Sequence, residues 1–229
     1  MQRYIEACAE GEGAERLVHV LGEIIAEPEL HARFVNTLAR LEYVGVRKML
    51  KSRRSESLTI EGLQHVLDEA VHALRLKKAA VALGAGVGAR VTTFAGHDTL
   101  AGDAGEDYLQ AIDRAAEARA AEAAVHPDWT PARRAEANYL LTSAAIEVRA
   151  QIFYPIYDRL LAERRVGFSV AAIAKDEDRH LAEMAEGLGR TFADWRAVFE
   201  PLLAAEERLF CGFMDAVRAA MDRERAAAA

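Results

Sequence analysis

The pentapeptide Asp176-Glu177-Asp178-Arg179-His180 repeats a pattern met far upstream, Asp68-Glu69-Ala70-Val71-His72. On an α-helix, a Glu and a His three residues apart project from one face about 4.5 Å apart along the axis, close enough to hold one ion between them. A single Glu-x-x-His pair is ordinary on a charged helix surface. Here the pair occurs twice, and each copy follows a helical segment with a Glu at matching distance, Glu42 before the first and Glu147 before the second. Surface patterning has no reason to repeat that arrangement.

The neighbours of the two leading glutamates are apolar. Leu38, Leu41, Gly45 and Val46 surround Glu42, and Leu140, Ala144 and Ile146 surround Glu147. Burying a lone ionised carboxylate on such a face costs on the order of several kcal/mol unless it is paired or metal-bound, so four glutamates at one depth argue for a shared cation. Four carboxylates and two imidazoles suit two divalent first-row ions, iron or manganese, better than zinc, which favours closed tetrahedral sites with fewer oxygens.

The elements that must position these residues are helical. Only five prolines accompany long Ala, Leu, Glu and Arg tracts in 229 residues, 52% of them hydrophobic, which predicts an all-α chain organised as one domain over 1–229. Residues 2–10 and 14–26 read as short helices forming a lid or cap. Pro28 opens a first bundle helix that runs to about Ser52. Thr59 caps a second, over 60–83, with Leu63, Val66, Leu67, Ala70, Leu74 and Val81 recurring at helical spacing. A Gly- and Asp-rich connection over 85–107 follows, long enough to be a crossover or the cover of a pocket. Tyr108 to Val125 is an Ala-rich helix. Thr130-Pro131 starts a long helix to about Arg165, with a bend expected at Pro155 and a turn closed by Gly167. Ser169 is a candidate cap for the helix of the second motif, and Thr191 or Asp194 begins a last helix through Trp195, Phe199, Leu203, Leu209, Phe213 and Val217.

In an antiparallel hairpin the residues that meet are equidistant from the turn. The midpoint between Glu42 and Glu69 falls among Arg54, Ser55, Glu56 and Ser57, as required. That between Glu147 and Glu177 falls a few residues before Val166-Gly167, an offset the bend could absorb.

The order Glu, Glu-x-x-His, Glu, Glu-x-x-His on four helices resembles the ferritin-like di-iron carboxylate proteins, whose hallmark it is. The likeness covers about residues 28–190, leaving flanking helices at 1–27 and 191–229, with the long crossover between bundle helices 2 and 3. It implies a ferritin-like four-helix bundle with Glu42, Glu69, His72, Glu147, Glu177 and His180 as ligands of two Fe ions, or Mn ions. It also implies Asp68 and Asp176 as acceptors that orient the ligand imidazoles. The expected activity is that of an oxidase or oxygenase that activates dioxygen or peroxide and acts on a small organic substrate, with an external electron donor. Ferroxidase action, iron storage and peroxide detoxification, including the manganese catalase type, form a second reading. Rubrerythrin-like proteins usually add a Cys-x-x-Cys iron domain, and this chain has only Cys8 and Cys211, far apart. A third reading is a non-catalytic bundle whose carboxylates pair with Arg47, Arg149 and Arg179.

Several side chains have a bland reading beside a sharp one. Tyr154 is placed toward the metal face, where core packing competes with a redox or hydrogen-bonding role. His65, on nearly the same face as His72, is expected as a satisfied interior histidine, with a place lining the site as the alternative. Arg149 and Arg179 are expected to point away and pair on the surface, Tyr43 lies ~100° off the metal face, and His19, His31, His97 and His126 are not expected as ligands. Gly45, Ala73, Ala144 and Ala145 either leave room for substrate or permit close packing. A net charge of −7, from 36 acidic and 29 basic side chains, argues against nucleic acid. No run approaches a membrane helix or a signal core, so the expectation is a cytoplasmic monomer or homodimer.

Overall fold

The computed structural model describes residues 1–52, 58–123 and 129–228. Among them the chain is all-α, with eight helices and no strand: α1 Gln2–Ala9, α2 Glu12–Ala26, α3 Pro28–Ser52, α4 Ile60–Gly86, α5 Ala104–Ala123, α6 Pro131–Glu163, α7 Ala171–Thr191 and α8 Trp195–Ala228. The expected first hairpin loop at 54–57 and His126 lie outside the described residues.

Local chemistry sets most of the helix starts. Thr59 and Thr130 accept the backbone N–H of Gly62 and Arg133 at 3.1 and 3.2 Å, as N-caps should. Asp194 does the same for Ala197 at 3.3 Å. The start of α7 departs from expectation. Its leading N–H, that of Val170, goes to Asp158 of the preceding helix at 2.8 Å, while Ser169 donates to the same carboxylate and accepts from Ala171 at 3.2 Å. The turn after α6 is closed by Arg165 rather than Gly167. Arg165 takes φ 55°, and Val166 N–H returns to the carbonyl of Leu161 at 2.9 Å, a Schellman closure with a non-glycine residue in the left-handed position.

α3 lies along α4 and α6 along α7, giving two helical hairpins, while α5 and α2 pack on α8, and α5 and α2 also reach α6. A single apolar core runs from Tyr4 in α1 to Met221 in α8. The N-terminal helices are therefore not a lid. Leu17, Leu21 and Ile24 of α2 are wholly buried in that core.

The connection after α4, residues 87–103, is bound to the flank of α3. Asn36 donates to the carbonyls of Thr93 and Asp98, Thr37 exchanges hydrogen bonds with Leu100, and Arg33 and Arg40 donate to the carbonyls of Thr99 and Gly102. Asp98 ties the segment internally by accepting both N–H groups of Thr92 and Thr93. Those backbone bonds hold its carboxyl down at about 2.

One expectation fails at most of its positions, Val66 alone of its large side chains packing partly on the core. The apolar recurrence on α4 does not face the core: Leu63, Leu67, Leu74 and Val81 are 54, 57, 53 and 44% exposed, and the buried side is Gly62, His65, Glu69, His72, Ala73 and Leu76. Glu69 lies two residues from Leu67, about 200° around the helix, so the two cannot point inward together.

Candidate metal centre

Each half of the site comes from one hairpin. α3 brings Glu42 and α4 brings Glu69 and His72; α6 brings Glu147 and α7 brings Glu177 and His180. All six converge, and all but the half-buried Glu42 are buried, His72 and His180 completely. Their ligating atoms form two overlapping groups whose members lie within 4.8 Å of one another: Glu42, Glu69, His72 and Glu177, and His65, Glu69, Glu147 and His180. Glu69 belongs to both. Glu177 also reaches across, with Oε1 3.1 Å from His72 Nδ1 and Oε2 2.8 Å from His180 Nδ1. The glutamates of the two motifs are thus central, and Glu42 and Glu147 are peripheral.

Comparison of the chain with family models, with curated proteins and with solved structures finds no match. The reading therefore rests on geometry.

Asp68 and Asp176 stand where an orienting acceptor should, but crosswise. Asp176 lies 3.1 Å from Nε2 of His72 on the other hairpin, and Asp68 lies 3.4 Å from Nε2 of His180. At His72 the aspartate on Nε2 fixes the tautomer that turns the Nδ1 lone pair into the cluster, whereas Nε2 of His180 also lies 3.2 Å from Arg179 Nη2. At His72 that Nδ1 is buried and has no hydrogen-bond partner, since its approach to Glu177 is poorly directed. An orphaned imidazole nitrogen facing four glutamates fits a metal ligand well.

The electrostatics agree. Burial, then the charges of Glu69 and Glu177, push Glu42 well above the usual carboxylate range. Burial, then Glu177 and Glu69, do the same to Glu147. For Glu177 burial acts upward too, but the hydrogen bond from His180 and the charge of the nearby His72 outweigh it and hold the group low. Burial opposes charge on His72, yet Glu177 and Asp176 raise it to about 9, and His180 is raised in the same way. Protons here do what a cation would do, neutralising carboxylates that cannot all ionise together.

His65 is the residue the sequence reading undervalued. Its ring stacks on His180 with centroids 3.9 Å apart, its Nε2 lies 3.4 Å from both Glu69 and Glu147, and its Nδ1 lies 3.3 Å from the Tyr139 hydroxyl. The signal was available: a His four residues before Glu69 shares its face. Tyr154 also reaches the site, donating its hydroxyl to Glu42. Burial and the Glu42 charge raise that phenol well above its ordinary value.

The two arginines differ from expectation. Arg149 is buried and donates through Nε and Nη2 to Glu206 at 2.9 and 2.8 Å, and through Nη2 to Glu207. Arg179 remains half-exposed but binds Asp68, the acceptor of His180, as well as Glu183. Neither pairs with a ligand glutamate as the purely structural reading requires. Tyr43 is exposed, stacked on Phe94 with centroids 5.8 Å apart, and away from the cluster. His31 is buried against the Tyr157 hydroxyl at 2.7 Å, and His19 and His97 pair at the surface with Glu23 and Asp98.

A cavity of about 120 Å³ opens beside the glutamates, walled by Leu38, Leu41, Phe153 and Phe213, with Gly45 at its edge. A Cβ on Gly45 would stand 3.5 Å from Glu69 Oε2. Ala73, Ala144 and Ala145 are buried away from that wall, so their small size serves helix packing. The 87–103 segment contributes nothing to the cavity. Its cover comes from α5, through Tyr108 and Leu109, and from α8, through Phe210 and Phe213.

Proposed function

We propose that this chain is a dinuclear metal protein of the ferritin-like di-iron carboxylate type, an oxidase or oxygenase acting on a small organic substrate. The observation that carries the reading is the unpartnered Nδ1 of buried His72 among four glutamates arranged as two groups sharing Glu69. Glu42, Glu69, His72 and Glu177 would hold one ion, and Glu69, Glu147, His180 and His65 the other. Iron is the proposed metal and manganese the alternative. Two adjacent redox-active ions can share the electrons needed to reduce dioxygen or peroxide.

The protein's own part is to position and to exclude water. Asp176 on Nε2 of His72 leaves its Nδ1 as the nitrogen that would bind, and at His180 the Nδ1 that faces Glu177 would do the same, its Nε2 lying between Asp68 and Arg179. The Tyr154 hydroxyl holds a proton at Glu42 Oε1, where a carboxylate changing its coordination could take or return it. The apolar walls of the cavity favour a substrate without charge. Electrons beyond those of the substrate would come from an external donor.

A second reading, iron oxidation for storage or peroxide removal, is favoured by an opening at the far end of the site. Glu61, Glu136, Glu183 and Glu186 line a hollow of about 370 Å³ that reaches His65, and with Arg190 on Glu186 and Arg179 on Glu183 the lining keeps a net acidic balance that would favour cations.

Metal analysis with the optical spectrum, recorded after anaerobic ferrous loading and again after exposure to air, tests the proposal. About two ions per chain are expected, and Glu147→Ala and His72→Ala should each lose metal. Full metal content in both variants would sink it. Assembly into a hollow shell, or vigorous oxygen release from peroxide, would transfer support to the second reading.

A further inference from the structure

The outer face of α4 has no partner among the described residues. Ile60 is 82% exposed, and with Leu63, Leu67, Leu74 and Val81 it forms a stripe along the whole helix. Ile60, Leu67, Leu74 and Val81 recur every seven residues, the spacing that keeps one helix seam facing another. Isolated exposed leucines need no explanation, but five large apolar side chains in register on one helix mark a contact surface.

We infer that this face docks against the same face of a second copy of the chain, antiparallel across a two-fold axis. Four of the five stripe residues are self-complementary about its centre, and Leu63 falls opposite the aliphatic stem of the partner's Lys78. With the axis between Ala70 and Val71, Leu67 meets the partner's Leu74, and Ile60 meets the partner's Val81. At the axis the small Ala70 faces the partner's Val71.

Charge chooses the direction and argues for a second copy over an unrelated protein. The exposed Glu61 lies at the start of the stripe, and the exposed Arg75 and Lys78 lie toward its end. Antiparallel docking brings Glu61 near the partner's Lys78, whereas parallel docking would oppose like with like.

Area sets the strength. The stripe spans about 32 Å at 1.5 Å per residue, a footprint on the order of 350 Å² for one helix width. That is below the ~800 Å² per partner of a standard stable interface. A reversible, concentration-dependent dimer is therefore expected. The inference does not depend on what the buried face binds.

Sedimentation velocity on the full chain, from low to high micromolar concentration, tests it. The wild-type protein should shift from monomer to dimer. Leu67→Glu and Leu74→Glu should each remain monomeric with unchanged helical circular dichroism. Should either fail to fold, the double variant Leu67→Ala/Leu74→Ala supplies the milder lesion and the same expected result. Glu61→Lys should weaken the dimer, and adding Lys78→Glu should restore it. A wild-type chain that stays monomeric throughout, a dimer untouched by both leucine changes, a larger assembly, or binding of the stripe to lipid vesicles while the chain stays monomeric would each overturn the inference.

Discussion

The two helices that carry Asp-Glu-x-x-His are alike at the motif and opposite around it. On α7, Glu177 and His180 share their buried face with Ile173, Leu181, Met184 and Leu188, so ligands and apolar packing point the same way. On α4, Glu69 and His72 are buried with His65, Gly62 and a single large apolar residue, Leu76, while Leu63, Leu67, Leu74 and Val81 face out. An apolar stripe ordinarily decides which way a helix turns, because burying it yields about 25 cal/mol per Å². On α4 it does not decide. A polar face of three histidine and glutamate side chains is turned inward, and it is tolerable there because α6 and α7 supply complementary groups. The comparison teaches that a shared site can outweigh local amphipathicity on one helix, while its partner helix keeps both in agreement.

The largest effect expected from this difference is on stability. Leu188→Ala, at a fully buried position of α7, should cost about 2–5 kcal/mol, whereas Leu74→Ala on α4 should stay within about 0.5 kcal/mol in dilute protein. Urea denaturation of the two variants measures both. Equal losses would break the contrast between the helices.

The inner face of α4 should also depend on pH in metal-free protein. His72 titrates near 6.5 when unfolded and at about 9 in the fold, so the stabilisation is complete below about 6.5 and is lost as pH rises through 9. At about 1.4 kcal/mol per pH unit, the total is roughly 3 kcal/mol. Chelator-treated protein should therefore unfold at lower urea at pH 10 than at pH 6. His72→Gln should flatten that difference, and an unchanged slope in the variant would assign it elsewhere.

The smallest effect sharpens the comparison at the site itself. Ile173 occupies on α7 the place His65 occupies on α4, four residues before the motif's glutamate. His65→Ala should weaken one of two bound ions by about ten- to a hundredfold, the scale of altering a single metal-site partner. Ile173→Ala should leave both affinities in place. Calorimetric titration with a divalent ion would show one transition shifting, and two unshifted transitions in His65→Ala would remove His65 from the site.

Much of the helical frame was legible in the chain because its signals are local. Thr59, Pro28, Thr130 and Pro131 set the starts of their helices by capping and by a fixed φ, and the repeated motif with Glu42 and Glu147 marked the residues that converge. Other features were not legible because their causes are distant. Asp158 takes over the cap of α7 from Ser169 across a turn. Arg149 is drawn inward by Glu206 and Glu207 from α8, which nothing near Glu147 announces. The crosswise pairing of each aspartate with the other motif's histidine exists only once the hairpins face each other.

Helix propensity, capping and the Glu-x-x-His spacing within each motif are properties of short segments, and the sequence by itself determined them. The rotation of α4 about its own axis was decided by the tertiary structure alone. A helix with one face of leucines and another of glutamate and histidine has two ways to be half-buried. The carboxylates of Glu147 and Glu177 and the imidazole of His180, arriving from α6 and α7, make the polar face the one that goes inside.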